Sequence, residues 1–319
     1  MAKNILFFCL PGLDNFVKPI VKYLESKSAF NPRLIVSNSI QEYAEAIKSA
    51  DILWLEWANQ LTAGVTQNLL PLERLKKVIC RLHSYEALSP GMLEQINFGV
   101  ITDMIFVSEF IRDYAMGLSP PTFEHLKIHT IPNGLDHKAF DIDPSKFGAK
   151  DSVTIGLLGH LNNKKGPMLL AQCITELVKR NTYENQIKFK IGGNWSDPRH
   201  ETYFMHFLDK LDLLDLVEFV QVPYGKANDF FATVDSVICT SPWESQNLSV
   251  MEGMAAGCKP AIHWFPGAEY HYNEANLWLT MDQLAEIIFQ KDWKLDTYRE
   301  EVSRFDWKII GEQIISVFD

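Results

Sequence analysis

The sequence predicts an α/β protein made of two doubly wound, parallel-sheet domains. Three observations carry this. Apolar runs of strand length alternate with amphipathic stretches of helical period along nearly the whole chain. The strand-like runs are apolar throughout, as strands covered by helices on both faces must be. A polar segment, Asp136–Asp151, interrupts the alternation midway and reads as a linker. The expected division is an N-terminal domain over 1–140 and a second over 141–304, with a C-terminal helix at about 305–319 packing back on the first. In such folds ligands sit at the carboxyl ends of the strands, here expected in a cleft between the two domains.

The elements follow in order. Asn4–Leu10 is the first strand. Its apolar run ends at Pro11-Gly12, too short for the apolar region of a signal peptide, so a buried strand explains it better. Asn15–Ser26 places Phe16, Val17, Ile20, Val21 and Leu24 on one helical face. Strands are then expected at Arg33–Val36, Ile52–Trp57, Lys77–Leu82, Met104–Val107 and Ile128–Ile131. The second series comprises Val153–Leu158, Lys188–Ile191, Val217–Val220, Ser236–Cys239 and Pro260–His263. Helices intervene at Pro167–Arg180, Arg199–Leu213 and Met281–Gln290.

Composition bounds the function. The chain has 319 residues, 47% of them hydrophobic, which is ample for packed cores and more than one core comfortably uses. Its net charge of −10 argues against a general nucleic-acid binder, which needs a basic face. Residues 1–150 hold 15 Lys+Arg and 16 Asp+Glu, so the acidic excess lies in the second half. No run of about 18 apolar residues predicts a membrane span. The five cysteines (Cys9, Cys80, Cys173, Cys239, Cys258) show no Cys-x-x-Cys pair and read as buried thiols in a reducing cytoplasm, with no metal site.

Two segments carry chemistry. In Ile155-Gly-Leu-Leu-Gly-His-Leu-Asn-Asn-Lys-Lys-Gly-Pro-Met168 a strand ends in a Gly- and Asn-rich loop, and a helix opens with Pro167 at its first position. Free helix-start amides with Lys164, Lys165 and His160 read as an anion site, against the alternative of an ordinary strand-to-helix turn with solvated lysines; neither a Walker loop nor a Gly-x-Gly-x-x-Gly pattern is present. The second segment, Val237–Ile262, runs from a buried strand through a polar loop into a short helix ended by Gly257. Asn247 can cap that helix and leave the amides of Leu248 and Ser249 open to a phosphate. Glu252 can accept hydrogen bonds from a vicinal diol, as acidic residues do from ribose. Alternatively, Ser249-Val-Met-Glu252 is simply a capping box. Glu244 and Glu252 also superficially suggest a glycosidase pair, a reading placed last because spacing cannot establish it.

These residues fall in an ordered set. Gly159-His160-Leu161…Lys165-Gly166, Glu244…Glu252-Gly-Met-Ala-Ala-Gly257, Pro132-Asn-Gly-Leu-Asp136…Phe140, Pro266-Gly-Ala-Glu269 and Arg304-Phe-Asp-Trp307 occur in one chain. In this the sequence resembles the retaining GT-B glycosyltransferases of family 4 (group 1), which use nucleotide-sugar donors. The resemblance implies a two-domain GT-B fold and metal-independent hexosyl transfer with retention, with no cofactor beyond the donor substrate. It implies that Lys165 neutralises the donor pyrophosphate with the Asn247–Ser249 helix start, that Glu252 binds ribose, and that Glu244 sits beside the sugar. His83 matches a family histidine that contacts the sugar, and Gly12 matches the glycine loop that approaches the phosphates. Three positions depart from the pattern: His160 replaces the phosphate-binding Arg, and Ser245 and Asn247 stand where glycines are usual.

The base is expected near Gln221-Val-Pro-Tyr224, at Val222 and Tyr224. Trp54 and Glu56 are candidates for the acceptor, against the alternative that the tryptophan packs under helices. The donor's base (UDP, GDP or ADP) and the acceptor are not specified by the sequence. Two other classes stay open: a non-catalytic nucleotide-sugar binder of the same fold and a GT-B 2-epimerase.

Overall fold

The computed structural model describes residues 2–68, 75–89, 91–118, 123–140, 152–182, 186–290 and 295–319. Part of the expected linker, residues 141–151, lies outside them. The chain divides into two compact units, Met1–Gly134 with Trp307–Asp319, and Leu135–Asp306. The division at Gly134 and Leu135 precedes residue 140 because Leu135 and Phe140 already pack in the second unit's core.

The first unit is a six-stranded, wholly parallel sheet in the order β2-β1-β3-β4-β5-β6. Its strands are β1 (Lys3–Cys9), β2 (Phe30–Val36), β3 (Ile52–Glu56), β4 (Lys77–Leu82), β5 (Asp103–Phe106) and β6 (Lys127–Thr130). Interior β3 and β5 are buried at every position, whereas edge strands β2 and β6 are largely exposed or half-buried. Alternate residues of one strand feed opposite faces. Thus Leu6, Phe8, Leu53 and Leu55 join one core, and Ile5, Phe7, Ile52 and Trp54 the other. The second core is closed by the helices Lys18–Glu25 and Trp307–Val317, through Ile20, Leu24, Ile310 and Ile314. The expected helix at Asn15–Ser26 starts three residues late: Asp14 to Val17 form turns, and Pro19 occupies a first-turn position.

The second unit has its own parallel sheet, ordered β12-β11-β10-β7-β8-β9. Its strands are β7 (Thr154–Leu158), β8 (Lys188–Gly192), β9 (Val217–Val220), β10 (Ser236–Cys239), β11 (Lys259–His263) and β12 (Leu277–Trp278). Read outward from β9, strands one to six of this unit lie in the order 3-2-1-4-5-6. That is the doubly wound dinucleotide-binding order, which reverses between β7 and β10. β12, unforeseen in the sequence, has two residues and lies at the edge. The helix expected at Arg199–Leu213 ends at Asp209, before Asp212 takes a left-handed φ of 56°.

All five cysteines are buried and free, and burial pushes the Cys9 thiol up to about 12. Among the described residues, no helix is long and apolar enough to cross a membrane, and no cluster of His, Cys, Asp and Glu could hold a metal ion.

Candidate functional site

The loops that follow β7 and β10 meet at the second unit's switch point. After β7 comes a short turn of 3₁₀ helix, Asn163–Lys165, then the helix Pro167–Lys179. Gly166 joins them at φ 60°, and a Cβ there would stand 2.1 Å from the Thr240 carbonyl oxygen. Only glycine allows that approach. The Thr240 hydroxyl donates to the Lys165 carbonyl at 2.7 Å, so Lys165 is fixed against the end of β10.

The two lysines converge on one carboxylate. Lys165 Nζ lies 2.6 Å from Glu244 Oε1, and Lys164 Nζ lies 2.9 Å from Oε2. Ser241 Oγ donates to Glu244 Oε1 at 2.9 Å, and Asn247 Nδ2 does so at 3.3 Å. The Lys165 side chain is only 19% exposed and that of Glu244 4%. Burial opposes both charges, but their attraction prevails: the Glu244 carboxyl is held below, and the Lys165 ammonium above, its usual range. Two ammonium groups against one carboxylate leave a local excess of one positive charge.

Beside this group begins the helix Leu248–Ala255. Asn247 is its N-cap, its side-chain oxygen accepting from the Val250 amide at 3.5 Å. Tyr272 OH donates to the Asn247 carbonyl at 3.1 Å, fixing the cap from behind. The amides of Leu248 and Ser249 have no partner among the described residues. Unpaired amides at the positive end of a helix dipole attract anions. The capping-box alternative is overturned: Ser249 Oγ donates to the Leu158 carbonyl at 2.7 Å rather than capping the helix. Glu252, one turn into the helix, is half-buried, and its carboxyl has no hydrogen-bond or ionic partner among the described residues. Burial therefore pushes its carboxyl up to about 7.

The remaining expectations meet different surroundings. The exposed His160 side chain makes no hydrogen bond among the described residues. Val222 and Tyr224 follow β9, with Val222 half-buried and Tyr224 77% exposed. In the first unit, Gly12 turns the chain after β1 at φ 81° with open space where a Cβ would be. Left-handed backbone, rather than close packing, calls for glycine there.

Trp54 and Glu56 require correction as acceptor residues, because both are 0% exposed. Trp54 Nε1 donates to Glu56 Oε2 at 2.7 Å, Arg81 Nη1 donates to Glu56 Oε1 at 3.2 Å, and Arg81 also donates to Asn133. His83 Nε2 lies 3.0 Å from Glu56 Oε1. Burial acts against the Glu56 charge, but Arg81 and His83 hold its carboxyl below the usual range. His83 is 3% exposed and stacks on Trp57 at 4.0 Å between ring centres, with Phe16 at 5.1 Å. The cluster is a buried ionic network at the carboxyl ends of β3 and β4. Ser241, Thr240 and Tyr272 were missed by sequence reasoning; no local pattern marks them, since their partners are set by the fold.

Residues 152–289 match the family model for glycosyl transferases group 1. No curated protein matches the chain. Among solved structures, Anabaena HepE in complex with UDP and glucose is similar at a TM-score of 0.78 and 17% identity, over 99% of both chains. Sucrose-phosphate synthase from Thermosynechococcus elongatus gives 0.77 at 14% identity, over 99% of this chain and 98% of that one. The lipopolysaccharide outer core galactosyltransferase WaaB gives 0.73 at 13%, over 99% of both. The chain has the GT-B fold.

Proposed function

We propose that the protein is a glycosyltransferase that moves a hexosyl group from a nucleotide sugar to an acceptor hydroxyl, with retention of configuration and without a metal. One observation carries this reading. At the second unit's switch point, two lysines, a helix start with free amides and a lone carboxyl one turn on stand together. The family match over 152–289 and the UDP complexes of HepE support the same assignment.

Roles follow from the chemistry of each group. The diphosphate lies at the amides of Leu248 and Ser249, and Lys165 meets the negative charge that grows on it as the glycosidic bond breaks. Lys165 is already oriented by Glu244, so little reorganisation accompanies that step. Glu244 turns its oxygens toward the sugar hydroxyls once the phosphate shares the lysines. Glu252 accepts from the ribose diol. His160, carrying one ring where the family has a guanidinium, gives a weaker phosphate contact because the bidentate fork is lost. The leaving phosphate takes the acceptor's proton on the same face, which yields retention without an enzymic nucleophile.

The test is release of labelled sugar from UDP-, GDP- and ADP-glucose by wild type and Lys165→Ala. The reading expects turnover of one donor by wild type and a loss of ~10²–10³ in the variant. Equal turnover by the two proteins, or conversion of the donor to its C2 epimer alone, would overturn it.

A further inference from the structure

The two oxygens of Glu244 are held unequally. Oε1 accepts from Lys165 Nζ at 2.6 Å, from Ser241 Oγ at 2.9 Å and from Asn247 Nδ2 at 3.3 Å. Oε2 lies 2.9 Å from Lys164 Nζ and has no other partner among the described residues. The lysines differ in the same sense. Lys165 has its amide bonded to Asn162 Oδ1 at 3.2 Å and its carbonyl to Thr240 Oγ1 at 2.7 Å, and its side chain is 19% exposed. The Lys164 side chain is 43% exposed, and Glu244 is its only ionic partner among the described residues.

These inequalities decide which contact yields to a phosphate. An ion pair open to water is screened and contributes little, so Lys164 leaves Oε2 easily. Lys165 is held by the fully bonded half of the carboxylate and stays in place. Departure of Lys164 has a second effect. The Glu244 side chain is only 4% exposed, so Oε2 would remain as a buried, charged oxygen without a donor, which is costly. A hydroxyl donating to Oε2 removes that penalty. The two events are therefore linked: Lys164 passes to a phosphate most readily when a hydroxyl takes its place on the carboxylate.

We propose that Glu244 is an internal counter-anion that lets the site tell a nucleoside diphosphate bearing a sugar from the bare diphosphate. With a sugar present, its hydroxyl satisfies Oε2, and both lysines serve the diphosphate. Once the sugar has gone, Oε2 draws Lys164 back. The diphosphate is then held by Lys165 and the amides of Leu248 and Ser249 alone, which weakens the product and favours its release. The naming of the ligand as a nucleotide sugar rests on the glycosyl-transfer reading. Competition between Glu244 and a phosphate for Lys164 rests on the contacts above.

The test measures, by titration calorimetry, binding of inorganic pyrophosphate, of UDP, GDP and ADP, and of their glucose conjugates. The proteins are wild type, Glu244→Gln and Lys164→Ala, with unfolding temperatures followed alongside. Glu244→Gln keeps the shape but removes the competing charge. It should bind pyrophosphate, and the nucleoside diphosphate of the base the protein accepts, at least about tenfold more tightly than wild type. The matching nucleotide sugar should bind no more tightly than to wild type. Lys164→Ala should show the opposite pattern, weakening the nucleotide sugar at least about tenfold and the bare diphosphate less than about threefold. An equal gain for diphosphate and nucleotide sugar in Glu244→Gln would mean simple charge repulsion and overturns the proposal. Unchanged pyrophosphate affinity in a folded Glu244→Gln overturns it as well. Should that variant misfold, Glu244→Asp, whose carboxyl is drawn back by one methylene, should shift the affinities in the same sense and decides instead. Absence of binding by all three nucleotide sugars, with pyrophosphate tightened as expected, would overturn the transfer reading and support the competition for Lys164.

Discussion

Glu252 offers the sharpest prediction, because its surroundings penalise a charge that the proposed donor would need. Burial without a partner moves its carboxyl from 4.5 to about 7. An acid raised on folding loses its proton first in the unfolded chain. Stability is therefore full below about 4.5 and falls as pH rises through about 7, after which it levels. The difference corresponds to ~3 kcal/mol. Glu252→Gln removes the titration while keeping the shape. The variant should match wild type near pH 4.5 and exceed it by ~3 kcal/mol at pH 8.5. For a cooperative unit of this size that is roughly 6–12 °C in unfolding temperature. Ligand binding should reverse the preference, since ribose hydroxyls donate to the carboxylate. UDP-glucose should bind wild type up to about tenfold more weakly at pH 6 than at pH 8, and the Gln variant should show no such trend. Scanning calorimetry over pH 4.5–8.5 decides the matter. An equal stability difference between the two proteins at every pH would refute the reasoning.

Other perturbations follow from the same geometry. Lys165→Ala should fold, since Lys164 still pairs with Glu244 at 2.9 Å, and circular dichroism should show native secondary structure beside the lost turnover. Gly166→Ala forces a side chain into left-handed backbone and against the Thr240 carbonyl, and urea titration should show a loss of ~2–4 kcal/mol. Glu56→Ala leaves the buried Arg81 guanidinium without its carboxylate; the expected cost is ~3–5 kcal/mol, read from the same titration.

The sequence made the interior strands legible because a strand covered on both faces is apolar at every position, as β3 and β5 are. It hid the first half of β2, where Asn31 and Pro32 look like a turn but lie in an edge strand, which tolerates proline. β12 is too short to leave a pattern. The donor-side residues were legible as local motifs, but their pairing was not: Lys165 and Glu244 are 79 positions apart, and only the sheet order brings them together. Glu56 misled for the converse reason. A charge next to tryptophans looks exposed until Arg81, His83 and Trp54 are seen to satisfy it in the interior.

The central claim is that a nucleotide sugar's diphosphate sits at the start of the Leu248–Ala255 helix. Titration of ¹⁵N-labelled protein with UDP-, GDP- and ADP-glucose, followed by the backbone amide resonances, tests it most directly. One donor should bind and move the Leu248 and Ser249 amides among the largest shifts in the spectrum. Binding that leaves those two amides unmoved, or no binding by any of the three, would contradict the account.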